Sequence, residues 1–290
     1  MQGELGQKSH RAVSDAALDR LLPPETQLPS ELHAAMRYAC LSPGKRLRPA
    51  FVLGSCEAVG CDVSRAHDAA AAVEMVHCFS LIHDDLPALD DDDLRRGIPT
   101  VHKAFGEAVA ILAGDALFAL AFETVARYEP ATLARDLVLE LTRATGSEGL
   151  VAGEALDILV EGRPVDLDTV RWIHERKTGA LIAASCAMGG LIGNASPPTV
   201  DALRSFGMAI GLAFQVQDDI LNETSTPEQL GKAAGSDRAR GKATYPGLFG
   251  LERARDFATE LHQRALAILD EIGHCASLRG LARESVVRSA

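Results

Sequence analysis

Aromatic side chains are scarce in this sequence, which has one tryptophan and three tyrosines and only 4% aromatic residues. Strands favour aromatic and β-branched residues, whereas alanine and leucine, which are abundant here, are strong helix formers. The composition therefore favours packed helices over a β-sandwich. With 47% hydrophobic residues, the chain has enough apolar sequence for a sizeable core.

Basic blocks are also missing, and the formal net charge is −11. We expect no nucleic-acid partner, because binding to phosphate backbones requires clustered Lys and Arg residues. An anionic substrate would need metal ions, or a local group of basic residues, to reverse the electrostatic field at its site.

Several other signatures are absent. The six cysteines form neither a CxxC pair nor a zinc-ligand spacing, so we expect buried, reduced thiols in a cytoplasmic protein. No Ser-His-Asp or Cys-His pattern is evident. The first residues, Met1 to Arg11, have no apolar core of the kind found in secretory signals. The longest uncharged stretch, 178–200, is interrupted by glycines and prolines, which predicts a buried helix and no membrane insertion.

Apolar residues recur at helical spacing along the chain, and no run shows the alternation of a strand. Val109, Leu112, Ala116 and Leu120, for example, predict one apolar face on a helix from about residue 105 to 128. Helix breaks are expected at Pro23-Pro24, Pro43-Gly44, Gly60, Gly97-Ile98-Pro99, Glu129-Pro130, Gly162-Arg163-Pro164, Pro197-Pro198 and Pro227. We predict one all-α domain, a single-domain helical bundle over residues 1–290, with residues 1–10 flexible.

Two aspartate-rich clusters stand out against this apolar background, one over residues 83–97 and the other over 215–222. Carboxylates packed this closely repel each other unless cations lie between them, and hard oxygen ligands favour Mg²⁺. If both clusters face one cavity, they could hold several Mg²⁺ ions together with a di- or triphosphate.

The first cluster is out of register on a regular helix, since Asp84 and Asp90 are about 120° apart around the axis. Pro87 removes a backbone donor, so we expect the helix to end or kink there. Such a break could bring Asp90 or Asp91 back towards Asp84 and Asp85.

The second cluster fits a continuous helix. Gln215 and Asp219 form one i, i+4 pair, and Asp218 and Asn222 form another. An apolar run precedes these residues and would bury their carboxylates, and buried carboxylates require partners or a metal ion.

Basic residues follow the same pattern of clustering. Lys45, Arg46 and Arg48 lie between helix breakers, and the pair Arg95-Arg96 directly follows the first acidic run. The other members of this basic set are Lys177, Lys232 and Lys242. A diphosphate bound without metal ions would need such Arg forks and Lys charges.

These motifs together resemble the trans-isoprenyl diphosphate synthases, and most closely the bacterial farnesyl diphosphate synthases. The resemblance rests on six motifs in order: Gly44-Lys45-Arg46-Leu47-Arg48-Pro49, the first acidic cluster with its Arg-Arg-Gly, Lys177-Thr178-Gly179-Ala180-Leu181, the second acidic cluster preceded by Phe214, Leu230-Gly231-Lys232, and Gly241-Lys242-Ala243-Thr244-Tyr245-Pro246. They cover roughly residues 40 to 250.

The resemblance implies an all-α bundle around a central cavity, in a homodimer, with three Mg²⁺ ions that Mn²⁺ can replace. It assigns as metal ligands Asp84, Asp85, Asp90 or Asp91, and Asp218 with Asp219. It assigns to the allylic diphosphate Arg95, Lys177, Thr178, Gln215, Lys232 and Lys242, and counts Lys177, Thr178, Gln215 and Arg95 as catalytic. It assigns to isopentenyl diphosphate Gly44, Lys45, Arg48, His77 and Arg96.

Product length depends on the floor of the hydrocarbon pocket, for which the resemblance favours Phe79, with Ser80 beside it. Phe79 lies five residues before Asp84, and a ring there predicts a C15 product, farnesyl diphosphate. The stretch 224–228 resembles C20 synthases of photosynthetic organisms, which leaves geranylgeranyl diphosphate as the alternative. Two residues depart from the family pattern, Pro43 and Asn222.

Three other interpretations compete with this one. A terpene cyclase would need a glutamate where Leu230 stands, and an HD-type phosphohydrolase built on His83-Asp84 would leave the second acidic cluster without a role. A non-catalytic binding subunit derived from a synthase is the third, although such chains typically lose one acidic cluster.

Overall fold

The expected breaks that lie among the described residues separate α-helices, and the all-α prediction is confirmed. The break expected at Pro227 lies outside the described residues. The computed structural model describes residues 2–224, 241–273 and 275–286. Its first helices are α1 (Gln2–Leu21), α2 (Ser30–Leu41), α3 (Leu47–Ala58), α4 (His67–Asp84), α5 (Val101–Phe105), α6 (Glu107–Ala126) and α7 (Ala131–Thr145). The later helices are α8 (Leu150–Leu159), α9 (Leu167–His174), α10 (Ala180–Ile192), α11 (Pro197–Thr224), α12 (Tyr245–Phe249), α13 (Leu251–Ile272) and α14 (Ala276–Val286). Helix α1 begins at Gln2. The flexibility of residues 1–10 stays a prediction.

Helix α4 lies at the centre of the bundle. Its residues 69–76 are almost completely buried, and they include a run of four alanines that lets α3 and α6 approach closely. Helix α10, also buried on most sides as its sequence predicts, packs between α3 and α11, and α11 packs along α13. A helix that is apolar all round must be enclosed by others. The acidic clusters lie at the C-terminal ends of α4 and α11, and we call the region around these ends the central site.

The buried face of α6 differs from the predicted one. Leu112 is 57% exposed, whereas Ala110, Ala113, Leu117 and Ala121 are fully buried. The helix is apolar on nearly every side, so sequence periodicity alone does not distinguish the buried stripe. By length and composition, α6 is the one helix among the described residues that could cross a membrane.

A short hairpin interrupts the helices, although no strand was expected. Strand β1 (Leu94–Arg95) pairs antiparallel with β2 (Ile98–Pro99). Arg96 and Gly97 form the turn with φ of 55° and 80°, as two-residue hairpin turns require. The turn directs neighbouring arginines to different partners.

The cysteines are all free, and all but Cys61 are buried. This agrees with the expectation of reduced thiols within the core.

Candidate active site

Helix α4 ends at the first acidic cluster, as Pro87 predicts. Asp84 is its last residue, and the Asp90 N–H then donates to the Asp84 carbonyl oxygen at 2.8 Å. Asp91, with φ of 50°, donates instead to the Leu86 carbonyl at 3.1 Å. Of the two predicted alternatives, the backbone therefore brings Asp90 back to Asp84.

The side chains of these neighbouring aspartates also diverge. The Asp90 carboxylate accepts a hydrogen bond from Lys242 Nζ at 2.8 Å. Asp91 is exposed, and its carboxylate groups with Asp93 and His102. Asp90 thus belongs to the central site, and Asp91 lies on the outer side of the loop.

Two acids that sequence analysis missed face Asp84 from α8. Lys177 Nζ lies 2.7 Å from a carboxylate oxygen of Glu154 and 2.7 Å from one of Asp157. Lys242 Nζ lies 3.9 Å from Asp157 as well. The only sequence signal was a pair of acids one turn apart in the apolar segment 150–159, a spacing too common to single out.

Electrostatics in this acidic group are strongly perturbed. Burial, reinforced by the charge of Glu154, raises the pKa of Asp84 to about 7. Burial opposes the charge on Lys177, but Asp157 and Glu154 outweigh it and raise the pKa of its ammonium group. A carboxylate whose ionisation is opposed by burial and by a neighbouring acid favours an added cation.

A π-helical turn, Glu175–Gly179, presents Lys177 and Thr178 to the site. Single π-turns within helices are frequent at functional sites. A Cβ atom at Gly153 would clash with the backbone of Lys177, so glycine there allows α8 to approach the turn. Thr178 Oγ1 donates to Gln215 Oε1 at 2.7 Å, which links the turn to α11.

The second acidic cluster lies on one face of α11, as its spacing predicts. Gln215 Nε2 donates to Asp219 Oδ1 at 3.0 Å, and the Tyr245 N–H donates to Asp219 Oδ2 at 3.2 Å. Asp219 is therefore held within the protein, and Asn222 is buried one turn beyond Asp218. Burial lowers the pKa of Arg48 and the charge of Asp218 opposes this shift, so the two residues interact electrostatically.

The basic side is built on α3, α4 and the hairpin turn. Arg48 Nη1 lies 3.2 Å from His77 Nε2. Burial and the charge of Arg48 hold the pKa of His77 well below its usual range, so the ring is neutral and accepts this hydrogen bond. Arg96 Nη1 donates to the Pro43 carbonyl at 3.0 Å, and a Cβ atom at Gly44 would clash with Arg96.

Arg46 does not belong to this set, despite its position between Lys45 and Arg48. Its guanidinium is buried and bonds to Glu74 at 3.0 Å and to Asp15 at 2.7 Å. It supports the interior of the bundle. Lys45 is exposed.

Arg95 turns to the opposite side from Arg96. Its Nε lies 2.6 Å and 2.9 Å from the two carboxylate oxygens of Asp85. Burial raises the pKa of Asp85, and Arg95 opposes that shift. Lys232 lies outside the described residues.

Phe79 and Ser80 lie on different faces of α4. The Phe79 ring packs on Phe118 and His83, with centroids 4.8 Å apart in each case. Ser80 is one turn below Asp84, is 8% exposed, and donates to the His77 carbonyl at 3.0 Å.

The arrangement has two chemically distinct halves. Asp84, Asp90, Glu154, Asp157 and Asp218 offer only oxygen donors, the set that Mg²⁺ prefers. Burial and the charge of Glu154 raise the pKa of Asp84, so an added cation would stabilise its ionised form. The other half offers guanidinium groups and needs no metal to bind an anion. Two anionic groups could therefore be bound in different ways in one cavity.

Known proteins agree with this architecture. Residues 29–273 match the family model described as polyprenyl synthetase. The chain is 48% identical over 258 residues to the heterodimeric geranylgeranyl pyrophosphate synthase large subunit 1, chloroplastic, of Arabidopsis thaliana, covering 86% of this chain and 69% of that protein. It is 50% identical over 242 residues to the chloroplastic geranylgeranyl pyrophosphate synthase of Capsicum annuum, covering 82% and 65%. Among solved structures, an FPP/GFPP synthase from Zymomonas mobilis superposes with a TM-score of 0.89 at 37% identity, covering 98% and 99% of the two chains.

Proposed function

This chain belongs to the polyprenyl synthetase family and is a prenyltransferase, and on that premise we propose that it condenses isopentenyl diphosphate with allylic diphosphates to give mainly the C20 product, geranylgeranyl diphosphate. The observation that carries this proposal is the connected set of acids and bases: Asp84 of α4 and two acids of α8 surround Lys177, and Asp218 of α11 acts on Arg48, which pairs with His77. An allylic diphosphate that binds through metal ions and an isopentenyl diphosphate that binds without them would lie side by side.

Asp84, Asp85, Asp90 and Asp218 would hold the Mg²⁺ ions, for which we keep a count of three, with Mn²⁺ as a substitute. Asp91 is replaced as a candidate by Asp90, which contacts Lys242 at 2.8 Å. Asp219 accepts hydrogen bonds from Gln215 Nε2 and the Tyr245 N–H, so we assign to it the role of orienting Gln215. When bound, Mg²⁺ would neutralise charge on the allylic diphosphate and on the departing group.

The allylic diphosphate would also meet Lys177, Lys242 and Arg95. Each of these cations is paired with an acid of the site, at 2.7 Å, 2.8 Å and 2.6 Å respectively. Cations held in this way are in position before the reaction, so they stabilise charge growing on the leaving diphosphate without reorganising. Lys232 stays a predicted member of this group.

Isopentenyl diphosphate would bind the basic half, through Arg48, Arg96, Lys45 and the backbone at Gly44. Arg48 has a buried Nε without a hydrogen-bond partner among the described residues. His77 orients its guanidinium as a neutral acceptor. A fork of N–H donors held in this way matches a diphosphate without a metal.

The reaction needs no side-chain nucleophile. The allylic C–O bond ionises and its electron pair leaves with the diphosphate, while Thr178 Oγ1, Gln215 Oε1 and the Lys177 carbonyl stabilise the carbocation. The isopentenyl double bond attacks the cation and forms the new C–C bond. Loss of a proton to the released diphosphate then completes the product.

Two observations support the C20 product. The curated relatives cited above are named geranylgeranyl pyrophosphate synthases. In addition, Phe79 lies about 140° around α4 from Asp84, and its ring packs towards α6. The residue below Asp84 on its own face is the small Ser80, which leaves room for a longer chain.

A C15 product is the second candidate, and the aromatic group of Phe79, Phe118 and Phe122 favours it. The Phe79 and Phe118 rings are tilted with centroids 4.8 Å apart, and the Phe118 and Phe122 rings meet edge to face at 4.9 Å, so this group could close the pocket. The structurally similar protein from Zymomonas mobilis is named an FPP/GFPP synthase.

Purified protein incubated with isopentenyl diphosphate and each of the C5, C10 and C15 allylic primers tests this proposal. We expect a Mg²⁺-dependent C20 diphosphate from all three. A C15 end product would instead indicate that Phe79, Phe118 and Phe122 form the floor of the hydrocarbon pocket. If no primer is elongated, the non-catalytic subunit becomes the better interpretation.

We also propose that two copies of this chain associate through α6. Its apolar residues Ile111 and Leu112 are 43% and 57% exposed in the single chain, and water-exposed apolar faces of this kind mark interfaces. Burial of this face between two copies would explain why α6 has the composition of a membrane-spanning helix without inserting into a membrane. The Arabidopsis relative is named as part of a heterodimer, so a related second subunit is the alternative partner. A cytoplasmic location stays a prediction.

A further inference from the structure

A second group of possible metal ligands lies outside the central site, at the base of the β1–β2 hairpin. One ligand atom each from Asp91, Asp93 and His102 lie within 4.8 Å of one another. The hairpin brings them together, because the Thr100 N–H donates to the Asp93 carbonyl at 3.0 Å and α5 starts immediately afterwards. Both aspartates are exposed. Exposed acidic groups are common without a bound ion, so the two carboxylates alone do not indicate a metal site.

The imidazole of His102 is the independent observation that points to a ligand. Only 6% of the residue is exposed, and its Nε2 is buried without a hydrogen-bond partner among the described residues. Buried polar atoms without partners are uncommon, because each costs about 1–3 kcal/mol. A buried imidazole with such an atom, grouped with two carboxylates, calls for an explanation.

The other ring nitrogen of His102, Nδ1, has a hydrogen-bond partner. His102 Nδ1 lies 3.1 Å from Thr100 Oγ1, and the Thr100 hydroxyl donates to the Asp93 carbonyl at 3.4 Å. With the hydroxyl proton directed to that carbonyl, the oxygen can accept the Nδ1–H, which is the tautomer that a metal ion at Nε2 requires. Nε2 then carries a lone pair, and metal-bound histidines are oriented by the same kind of second hydrogen bond.

We propose that Asp91, Asp93 and His102 Nε2 bind one divalent transition-metal ion, of the class of Mn²⁺, Co²⁺ or Zn²⁺. An imidazole with two carboxylates suits these ions, whereas Mg²⁺ prefers oxygen ligands alone. The site is separate from the central one, where Asp90 pairs with Lys242 at 2.8 Å. It neither requires nor extends the proposed reaction.

The bound ion fastens the loop before β1 to the first turn of α5. The hairpin between them presents Arg95 and Arg96. The site is therefore a structural clamp on the segment that positions both arginines.

Lys103 gives the proposal a test with opposite signs. Its Nζ lies 2.8 Å from Asp93 Oδ1, so it competes with a metal ion for this carboxylate. Lys103→Met frees a ligand and should tighten metal binding a few-fold, the scale of an exposed ion pair. Asp93→Asn removes a ligand and should weaken it about tenfold or more. A purely structural ion pair would make both variants behave alike.

The experiment is a Co²⁺ titration of untagged protein in excess Mg²⁺, followed by visible absorption and calorimetry. We expect one equivalent to bind in the wild type and in Asp84→Asn/Asp218→Asn, and binding to be lost in His102→Gln. Because Asp93 is exposed, Asp93→Asn should fold normally. Weaker Co²⁺ binding in this variant would therefore not come from misfolding.

The matched control is His67→Gln, a histidine next to Asp68 at the start of α4, which should leave the titration unchanged. The proposal is overturned if no Co²⁺ binds in excess Mg²⁺, if His102→Gln binds it as the wild type does, or if the Asp93 and Lys103 variants shift the affinity in the same direction.

Discussion

Replacing Asp84 by asparagine should stabilise the metal-free protein while abolishing product formation. The carboxylate has a pKa of about 7, raised from 3.8, because of burial and the neighbouring Glu154. A group whose pKa is higher in the folded state binds protons more tightly there. Its contribution therefore destabilises the fold progressively from about pH 4 to pH 7 and has its full cost above that range.

The size of the effect follows from the shift. Three pKa units correspond to about 4 kcal/mol at roughly 1.36 kcal/mol each, which is a ceiling. Judged by its accessible surface, Asp84 is only partly buried. Screening by solvent therefore reduces this free-energy ceiling to roughly 1–2 kcal/mol. Without metal, the unfolding free energy of the asparagine variant should exceed that of the wild type by this amount at pH 8 and by little near pH 4. Mg²⁺ should stabilise the wild type more, since it binds the folded carboxylate.

Urea unfolding in EDTA, followed by circular dichroism at fixed protein concentration, measures this difference. Asp256→Asn, at an exposed position on α13, is the control and should not change the unfolding free energy at either pH. If Asp84→Asn is no more stable than the wild type at pH 8 without metal, the reasoning from burial and repulsion is wrong.

Three further predictions concern the core, the product and assembly. Arg46→Met leaves Glu74 buried without its partner and should cost about 3–5 kcal/mol of unfolding free energy, measured by denaturation; a loss below 1 kcal/mol would contradict the buried pair. Ser80→Phe should shorten the product to C15 or C10 while Phe79→Ala leaves C20 in place, and chain-length analysis giving the reverse pattern would assign the floor to Phe79. Leu112→Asp should convert a dimer to a monomer in light scattering, and an unchanged mass would exclude the α6 face as the interface.

The fold was largely predictable because helix ends have local causes. Pro87 ends α4 at Asp84, and the same proline explains the return of Asp90. The i, i+4 contact of Gln215 with Asp219 also follows from helix geometry alone. Residues that act through their own helix could therefore be assigned from spacing.

The rest depended on contacts between distant segments. Glu154 and Asp157 become part of the site only because the π-turn brings Lys177 to α8. Arg46 and Arg48, two residues apart, take opposite roles because Arg46 adopts a left-handed conformation and turns into the core. No local pattern predicts such a reversal.

The most direct test of the account is calorimetric binding of an unreactive allylic thiodiphosphate with and without Mg²⁺. Binding should require Mg²⁺ and should be lost in both Asp84→Asn and Asp218→Asn, because both clusters would hold the ions around one diphosphate. Binding without Mg²⁺, or loss in only one of the two variants, would contradict a shared site.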